Sequence, residues 1–174
     1  MYHLTLSDTE KESFQEVHYD IHNRKRTKIN LRICFSEKDI KHYAKFEGLL
    51  NKSNTIIKNL NIYNLVLNPK KYTIEFIQRN HFDGFWKTPN LLSWHQDDYG
   101  ATNRKVFTII YYIRKDTTVR GGDLEYSDYE NERKTHMVKE KDVLCFSGNI
   151  YHNSTKSEGF GCRDIIVVQF ERLK

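Results

Sequence analysis

The spacing of apolar residues changes near residue 70 and divides the chain into a mixed first third and a strand-rich remainder. In the first third, EVHYDIH (16–22) and KINLRICF (28–35) alternate between apolar and polar positions, which predicts two half-buried strands. The basic run Arg24, Lys25, Arg26 and Lys28 reads as a solvated hairpin connection between them. Ser36 then opens an S-x-x-D sequence with Asp39, a capping-box-like start. Ile40, Tyr43, Ala44 and Leu50 follow at helical spacing, so a helix is expected over about 37–51 and a second short one over 53–62. Pro69 is expected to close this part.

Beyond residue 70 the period is two. KYTIEFIQ (71–78) alternates, and LLSWHQD (91–97) is predicted as a strand. KVFTIIYYIR (105–114) is almost continuously apolar, as expected of a strand buried on both faces. DLEYS follows Gly121-Gly122, KDVLCFSG (141–148) makes another strand, and RDIIVVQFER (163–172) the last. Many short strands with few helices predict a mainly β fold, a barrel or jelly-roll-like core with the N-terminal helices packed on its outside. No Gly/Ser linker, low-complexity tract or repeat interrupts the 174 residues. The simplest organisation is one domain over 1–174, with a core at about 70–174 supported by 1–69.

An apolar fraction of 38% is enough for a core and argues against disorder. No run approaches the roughly 18 apolar residues that span a bilayer. MYHLTLSDTEKESFQ lacks a basic start followed by an apolar stretch, so the expectation is a cytoplasmic protein with no membrane association. Cys34, Cys145 and Cys162 are unpaired in spacing and read as free, buried thiols in a reducing compartment. A net charge of +5 permits a nucleic-acid partner without requiring one, because the basic residues are scattered. No phosphate-binding fingerprint is present. Gly121-Gly122 precedes no helix and reads as a tight turn or bulge.

The chemistry lies in SWHQDDYG and SGNIYHNST. On a strand, residues i and i+2 share a face, so His95 and Asp97 present an imidazole and a carboxylate side by side. His152 returns on a distant strand as a third ligand. Two His and one carboxylate form the facial triad of non-haem Fe(II) oxygenases, with open positions that a 2-oxo acid and O2 can fill. Asp97 occupies the position that a halogenating site would leave small. His3, His18, His22, His42, His81 and His136 show no ligand pattern and read as surface or hydrogen-bonded residues. Arg163 opens the last strand, and an inward guanidinium demands an anionic partner that it can grip through two bonds. Phe82, Phe85, Trp86 and Trp94 lie in RNHFDGFWKTPNLLSW (79–94), a stretch expected at the mouth of the barrel, where they either line a substrate wall or pack on the scaffold.

HQD (95–97), IIYYIRKD (109–116), GGDLEY (121–126), VLCFSGNIYH (143–152) and CRDIIVVQF (162–170) together resemble the Fe(II)/2-oxoglutarate-dependent dioxygenases, and among them the prolyl 4-hydroxylase-like branch. The resemblance covers about 70–174 and implies a double-stranded β-helix, a jelly roll with the metal between its sheets. It makes His95, Asp97 and His152 the iron ligands, and gives Arg163 and Tyr112 the distal carboxylate of 2-oxoglutarate. The implied cofactors are Fe(II), 2-oxoglutarate and O2, with ascorbate as an optional reductant. The implied reaction hydroxylates a C–H bond and releases succinate and CO2. A peptide or protein substrate, most simply a prolyl residue, is favoured. Nucleic-acid bases, small molecules and a non-catalytic metal-binding barrel remain alternatives. Nucleic-acid demethylases of this superfamily carry a second Arg shortly after the first, and Gln169 stands at that offset here.

Overall fold

Strict alternation along the long central strands gives this molecule two separate interiors. The computed structural model describes residues 1–22, 31–39, 43–61, 66–81, 94–98, 105–127 and 132–173. Its elements run β1 (Tyr2–Thr5), α1 (Asp8–His22), β2 (Leu31–Ser36), α2 (Tyr43–Leu60), β3 (Val66–His81), β4 (Val106–Lys115), β5 (Val119–Gly121) and β6 (Leu124–Ser127). They continue with β7 (Arg133–His136), β8 (Asp142–Ser147), β9 (His152–Ser154), β10 (Ser157–Gly159) and β11 (Gly161–Leu173). The fold is therefore mainly β. A six-stranded antiparallel sheet has the order β1-β8-β4-β11-β3-β2, and smaller sheets are formed by β7-β6-β9 and by β10-β5.

On one face of the large sheet, Phe76, Ile109, Tyr111, Val143, Ile166 and Val168 pack against Phe14 of α1 and Phe46 and Leu49 of α2. On the other face, Ile110, Tyr112, Leu144, Phe146, Ile165 and Val167 pack against Leu124 of β6, Val138 and Ile150. The first eight residues of β4 are buried without a break, as its continuous apolar run requires. The helices thus occupy one side of the sheet. The other side is left to the candidate ligands.

The helices differ from the sequence expectation. Residues 16–22 are the second half of α1, not a strand. Phe14, His18 and His22 are its buried residues, one helical turn apart. Its start is a capping box: the Ser7 N–H donates to Glu10 Oε2 at 2.9 Å, and the Glu10 N–H to Ser7 Oγ at 3.2 Å. At Ser36 half of the expected exchange forms, with the Ser36 N–H donating to Asp39 Oδ2 at 2.7 Å, but the Asp39 N–H donates to the Ser36 carbonyl at 2.9 Å and closes a turn at 37–38. In place of two helices, α2 is continuous from Tyr43 to Leu60. Ser53, where a break was expected, is buried and donates to Leu49 O at 2.8 Å while its hydroxyl meets Tyr111 Oη at 2.7 Å.

Pro69 lies within β3, in the stretch before β2 pairing begins at residue 73 and beside the register shift of β11 between Phe170 and Arg172. Proline is tolerated there because the ladder is already interrupted. Cys145 and Cys162 are buried free thiols, whereas Cys34 is exposed because it lies on the edge strand β2 and faces away from the helices. The basic run 24–28, His42, Phe82, Phe85 and Trp86 lie outside the described residues. Among the described residues no helix is long and apolar enough to cross a membrane.

His18 and His22 stack at 4.4 Å between ring centroids, and His18 Nε2 meets the Ile77 carbonyl at 3.2 Å. Burial, helped by the neighbouring His22, pushes His18 down from 6.5 to about 3. The unfolded chain therefore binds the proton more readily between these two values. Stability is expected to hold above about pH 6.5 and to fall as the pH drops toward 3. One proton contributes at most about 1.4 kcal/mol per pH unit. Denaturant titrations across this range check it, and His18→Gln should flatten the dependence.

Candidate metal centre

Residues 94–98 carry the first two predicted ligands on a bent segment held by one isolated antiparallel bridge, not on a strand. The His95 N–H donates to His152 O at 3.1 Å, and the His152 N–H to His95 O at 2.9 Å. This reciprocal pair brings the two imidazoles together, with ring centroids 4.3 Å apart and planes tilted by 50°. The segment is anchored on both sides. The Asp98 N–H donates to Gly148 O at 3.0 Å, while the Asp98 carboxylate accepts from the Val106 N–H at 2.8 Å and from Arg172 Nη2 at 2.6 Å. A Cβ at Gly148 would run into Asp98 and Val106, so glycine is required there.

Asp97 and His152 are each 6% exposed, and His95 is more open. One carboxylate oxygen, Asp97 Oδ1, lies 3.6 Å from His95 Nε2 and 3.7 Å from His152 Nε2. The three ligand atoms all fall within 4.8 Å of one another. The other oxygen, Asp97 Oδ2, accepts from Thr108 Oγ1 at 2.5 Å, which fixes the carboxylate's rotation. His152 Nδ1 meets Ile150 O at 3.0 Å. A carbonyl only accepts, so Nδ1 carries the proton and Nε2 presents its lone pair. Burial lowers the His152 pKa, against the raising effects of Asp97 and of the Ile150 carbonyl, and so favours the neutral, ligating form. Phe146 packs on the ring at 4.8 Å and fixes its plane. Two imidazoles and a carboxylate, converging from one side, fit a divalent iron with open positions.

Arg163 enters the same cavity from β11. It is 6% exposed, and Nη1 donates to Gly122 O at 2.5 Å and to Ser154 Oγ at 3.3 Å. Among the described residues its Nε has no hydrogen-bond partner. A buried guanidinium with an orphaned donor is a site built for an anion, and the carboxylate of a 2-oxo acid fits it. Gly122, at φ 69°, lies so close beneath the guanidinium that any Cβ would overlap it. Tyr112 shares this face with Thr108 and Ile110, and all three line the cavity with Arg163. Burial raises the Tyr112 pKa, against the pull of Arg163, so the phenol stays protonated and can donate.

The cavity has a volume of about 380 Å³. All five residues expected at the site line it: His95, Asp97, Tyr112, His152 and Arg163. Sequence reasoning did not give roles to Thr108, Ser154 or Arg79, which line it too. A signal was present for Thr108, a polar residue on the inward phase it shares with Ile110 and Tyr112, whereas Arg79 and Ser154 share theirs with Glu75 and His152. Trp94 is covered by Arg133, whose guanidinium carbon lies 4.8 Å from the ring centroid. A second His-Asp-His group, His3, Asp142 and His136, is held by hydrogen bonds of 2.9 and 3.0 Å to separate oxygens of Asp142, in keeping with the reading of both His as hydrogen-bonded residues.

The fold is that of the prolyl hydroxylases and other 2-oxoglutarate oxygenases. A Trichoplax adhaerens prolyl hydroxylase, solved with a hypoxia inducible factor oxygen degradation domain peptide fragment, superimposes with a TM-score of 0.68 at 13% identity, covering 98% of this chain and 82% of that one. A prolyl 4-hydroxylase of Phytophthora capsici gives 0.66 at 13% identity over 99% of this chain, which spans only 59% of that protein. The non-haem alpha-ketoglutarate-dependent epimerase SnoN from nogalamycin biosynthesis gives 0.65 at 10% identity, covering 97% and 76%. No family model and no curated protein matches the sequence.

Thr108→Val removes only the hydroxyl that holds Asp97. Binding of Mn(II) or Co(II), measured by calorimetry, is expected to weaken by about 10- to 100-fold.

Proposed function

We propose that this chain is an Fe(II)- and 2-oxoglutarate-dependent dioxygenase that hydroxylates a C–H bond of an amino-acid residue, most simply a prolyl residue carried on a peptide, and releases succinate and CO2. The observation that carries this reading is one cavity holding both the His95, Asp97 and His152 donors and the buried Arg163 with its unpartnered Nε. Residues 1–174 act as one catalytic unit, with a double-stranded β-helix formed by the large sheet and the smaller sheets beside β6. Shared fold with the peptide-bound Trichoplax prolyl hydroxylase favours a peptide among the substrates such folds accept.

His95, Asp97 and His152 would hold the iron, which supplies oxygen activation when bound with 2-oxoglutarate. Thr108 keeps one Asp97 oxygen occupied, so that the other faces the metal. The Ile150 carbonyl holds the His152 proton on Nδ1, away from the metal side. Arg163 takes the distal carboxylate of the cosubstrate, and the Tyr112 hydroxyl donates to the same group. Ile110, Leu124, Ile165 and Val167 exclude water from the space between. The side chains thereby fix the cosubstrate at both ends before the C–H bond is presented.

Anaerobic titration with Fe(II) and 2-oxoglutarate tests this. The weak visible charge-transfer band of the chelate is expected in the unaltered protein and should be absent in Asp97→Ala. Arg163→Gln should raise the 2-oxoglutarate concentration needed by at least about 30-fold, the equivalent of about 2 kcal/mol. Normal 2-oxoglutarate binding by Arg163→Gln would remove that residue from the cosubstrate site.

A further inference from the structure

Arg79 stands on β3 directly opposite Arg163 of β11, and Lys115 of β4 completes the same row across the sheet. The two flanking cations have clear employment. Lys115 pairs with Asp123 at 3.2 Å, and Arg163 is built into the anion site described above. Arg79 lines the cavity and is half-buried, yet among the described residues no carboxylate pairs with it. Burial and the neighbouring guanidiniums of Arg163 and Arg32 all lower its pKa, with no carboxylate acting in the opposite direction.

Glu75 is the carboxylate on the inward phase of the same strand, and it is already taken. Arg32 Nε donates to Glu75 Oε2 at 2.9 Å and Arg32 Nη2 to Glu75 Oε1 at 2.7 Å, a two-bond pair that uses both oxygens. Gln169, further along this face of the sheet, is neutral.

A charge count for the loaded cavity then leaves Arg79 over. A divalent metal with Asp97 keeps one positive charge. The chelating carboxylate of 2-oxoglutarate cancels it, and the distal carboxylate cancels Arg163. Arg32 and Glu75 cancel each other. Among the described residues one guanidinium remains uncompensated, in a cavity that is aliphatic at Ile77, Ile110, Leu124, Ile165 and Val167. Leaving a desolvated charge unpaired is costly, so the substrate is the natural source of its partner. At about 380 Å³ the cavity is near the lower end of ligand pockets, which run from about 300 Å³, and it must also hold the cosubstrate. The anion that fits is compact.

The geometry points to Arg79 as the residue that selects a substrate carrying a carboxylate close to the C–H bond it loses: an aliphatic amino acid with a free carboxyl group, or a peptide residue next to an acidic side chain. This rests on the dioxygenase reading above and sharpens it. A neutral prolyl peptide would leave Arg79 without a partner.

The test uses the Fe(II)·2-oxoglutarate complex under anaerobic conditions. The chelate band is recorded first for the unaltered protein, Arg79→Gln and Arg163→Gln. Free L-amino acids are then compared with their C-terminal amides, and acetylated dipeptide amides pairing proline with aspartate with those pairing proline with asparagine. Perturbation of the band and, in air, succinate release are the readouts. Carboxylate forms should perturb the band at concentrations at least about 30-fold lower than their amides. That preference should collapse to within about threefold in Arg79→Gln and return in part in Arg79→Lys. The two arms separate a free amino acid from an acidic peptide. Equal response to acids and amides overturns the inference, as does silence of every carboxylate while the chelate forms. Loss of 2-oxoglutarate binding in Arg79→Gln as severe as in Arg163→Gln overturns it too, by giving Arg79 to the cosubstrate. Absence of the band in the unaltered protein removes the dioxygenase reading itself, a distinct result.

Discussion

Everything in this molecule depends on the large sheet having two unlike faces. From Phe107 to Ile113 of β4 and from Ile165 to Val168 of β11 every residue is committed to the helix side or to the cavity side, with neither phase left to solvent. A slip of one residue would send Tyr111 and Ile109 into the cavity and bury Thr108 under the helices. The register shifts between Asp164 and Ile165, and between Phe170 and Arg172, lie at the two ends of β11 and leave the stretch between them in strict phase. The site residues therefore inherit their positions from core packing. Thr108, Ile110 and Tyr112 face the cavity because Phe107, Ile109 and Tyr111 are held beneath the helices.

Onto this rigid frame the protein adds a short segment with almost no regular structure. Residues 94–98 bring two donors to the cavity through a single backbone bridge and the bonds of Asp98. The result is a division of labour. Anion-binding groups belong to the long strands, and the carboxylate donor belongs to a segment tied down side chain by side chain. The charges in the cavity follow the same logic. Among the described residues each guanidinium that the sheet carries inward has a carboxylate, a carbonyl or a proposed ligand assigned to it, except Arg79.

Much of this was legible in the sequence. The i, i+2 spacing of His95 and Asp97, the later His152 and the inward Arg163 were enough to pick out residues that the structure brings into one cavity. Beyond residue 105, β4, β8 and β11 were legible because their apolar runs are long, and β6 because it follows Gly121-Gly122, whereas the short polar strands β5, β7, β9 and β10 left no such signal. The helices were harder. EVHYDIH alternates by accident within a helix whose period is set by Phe14, His18 and His22, and two of those three are histidines that a hydrophobicity pattern does not count. The capping pair Ser7 and Glu10 was the available signal. Ser53 looked like a break because its hydroxyl's partners, Leu49 O and Tyr111, are visible only in three dimensions. Cys34 resembled a core thiol because the edge position of β2 is a property of the sheet and not of the segment.

The first strand has a consequence for handling the protein. β1 covers the outer edge of β8, which is buried over its first five residues and apolar from Val143 to Phe146. His3 clamps that cover through Asp142, which His136 also holds. Were the first few residues cleaved, or drawn away by a fusion, β8 would present a row of free backbone donors and acceptors flanked by valine, leucine and phenylalanine. Such an edge recruits strands from other molecules. Self-association and precipitation would then begin at a place remote from the cavity, and a preparation could lose solubility with His95, Asp97 and His152 still in position.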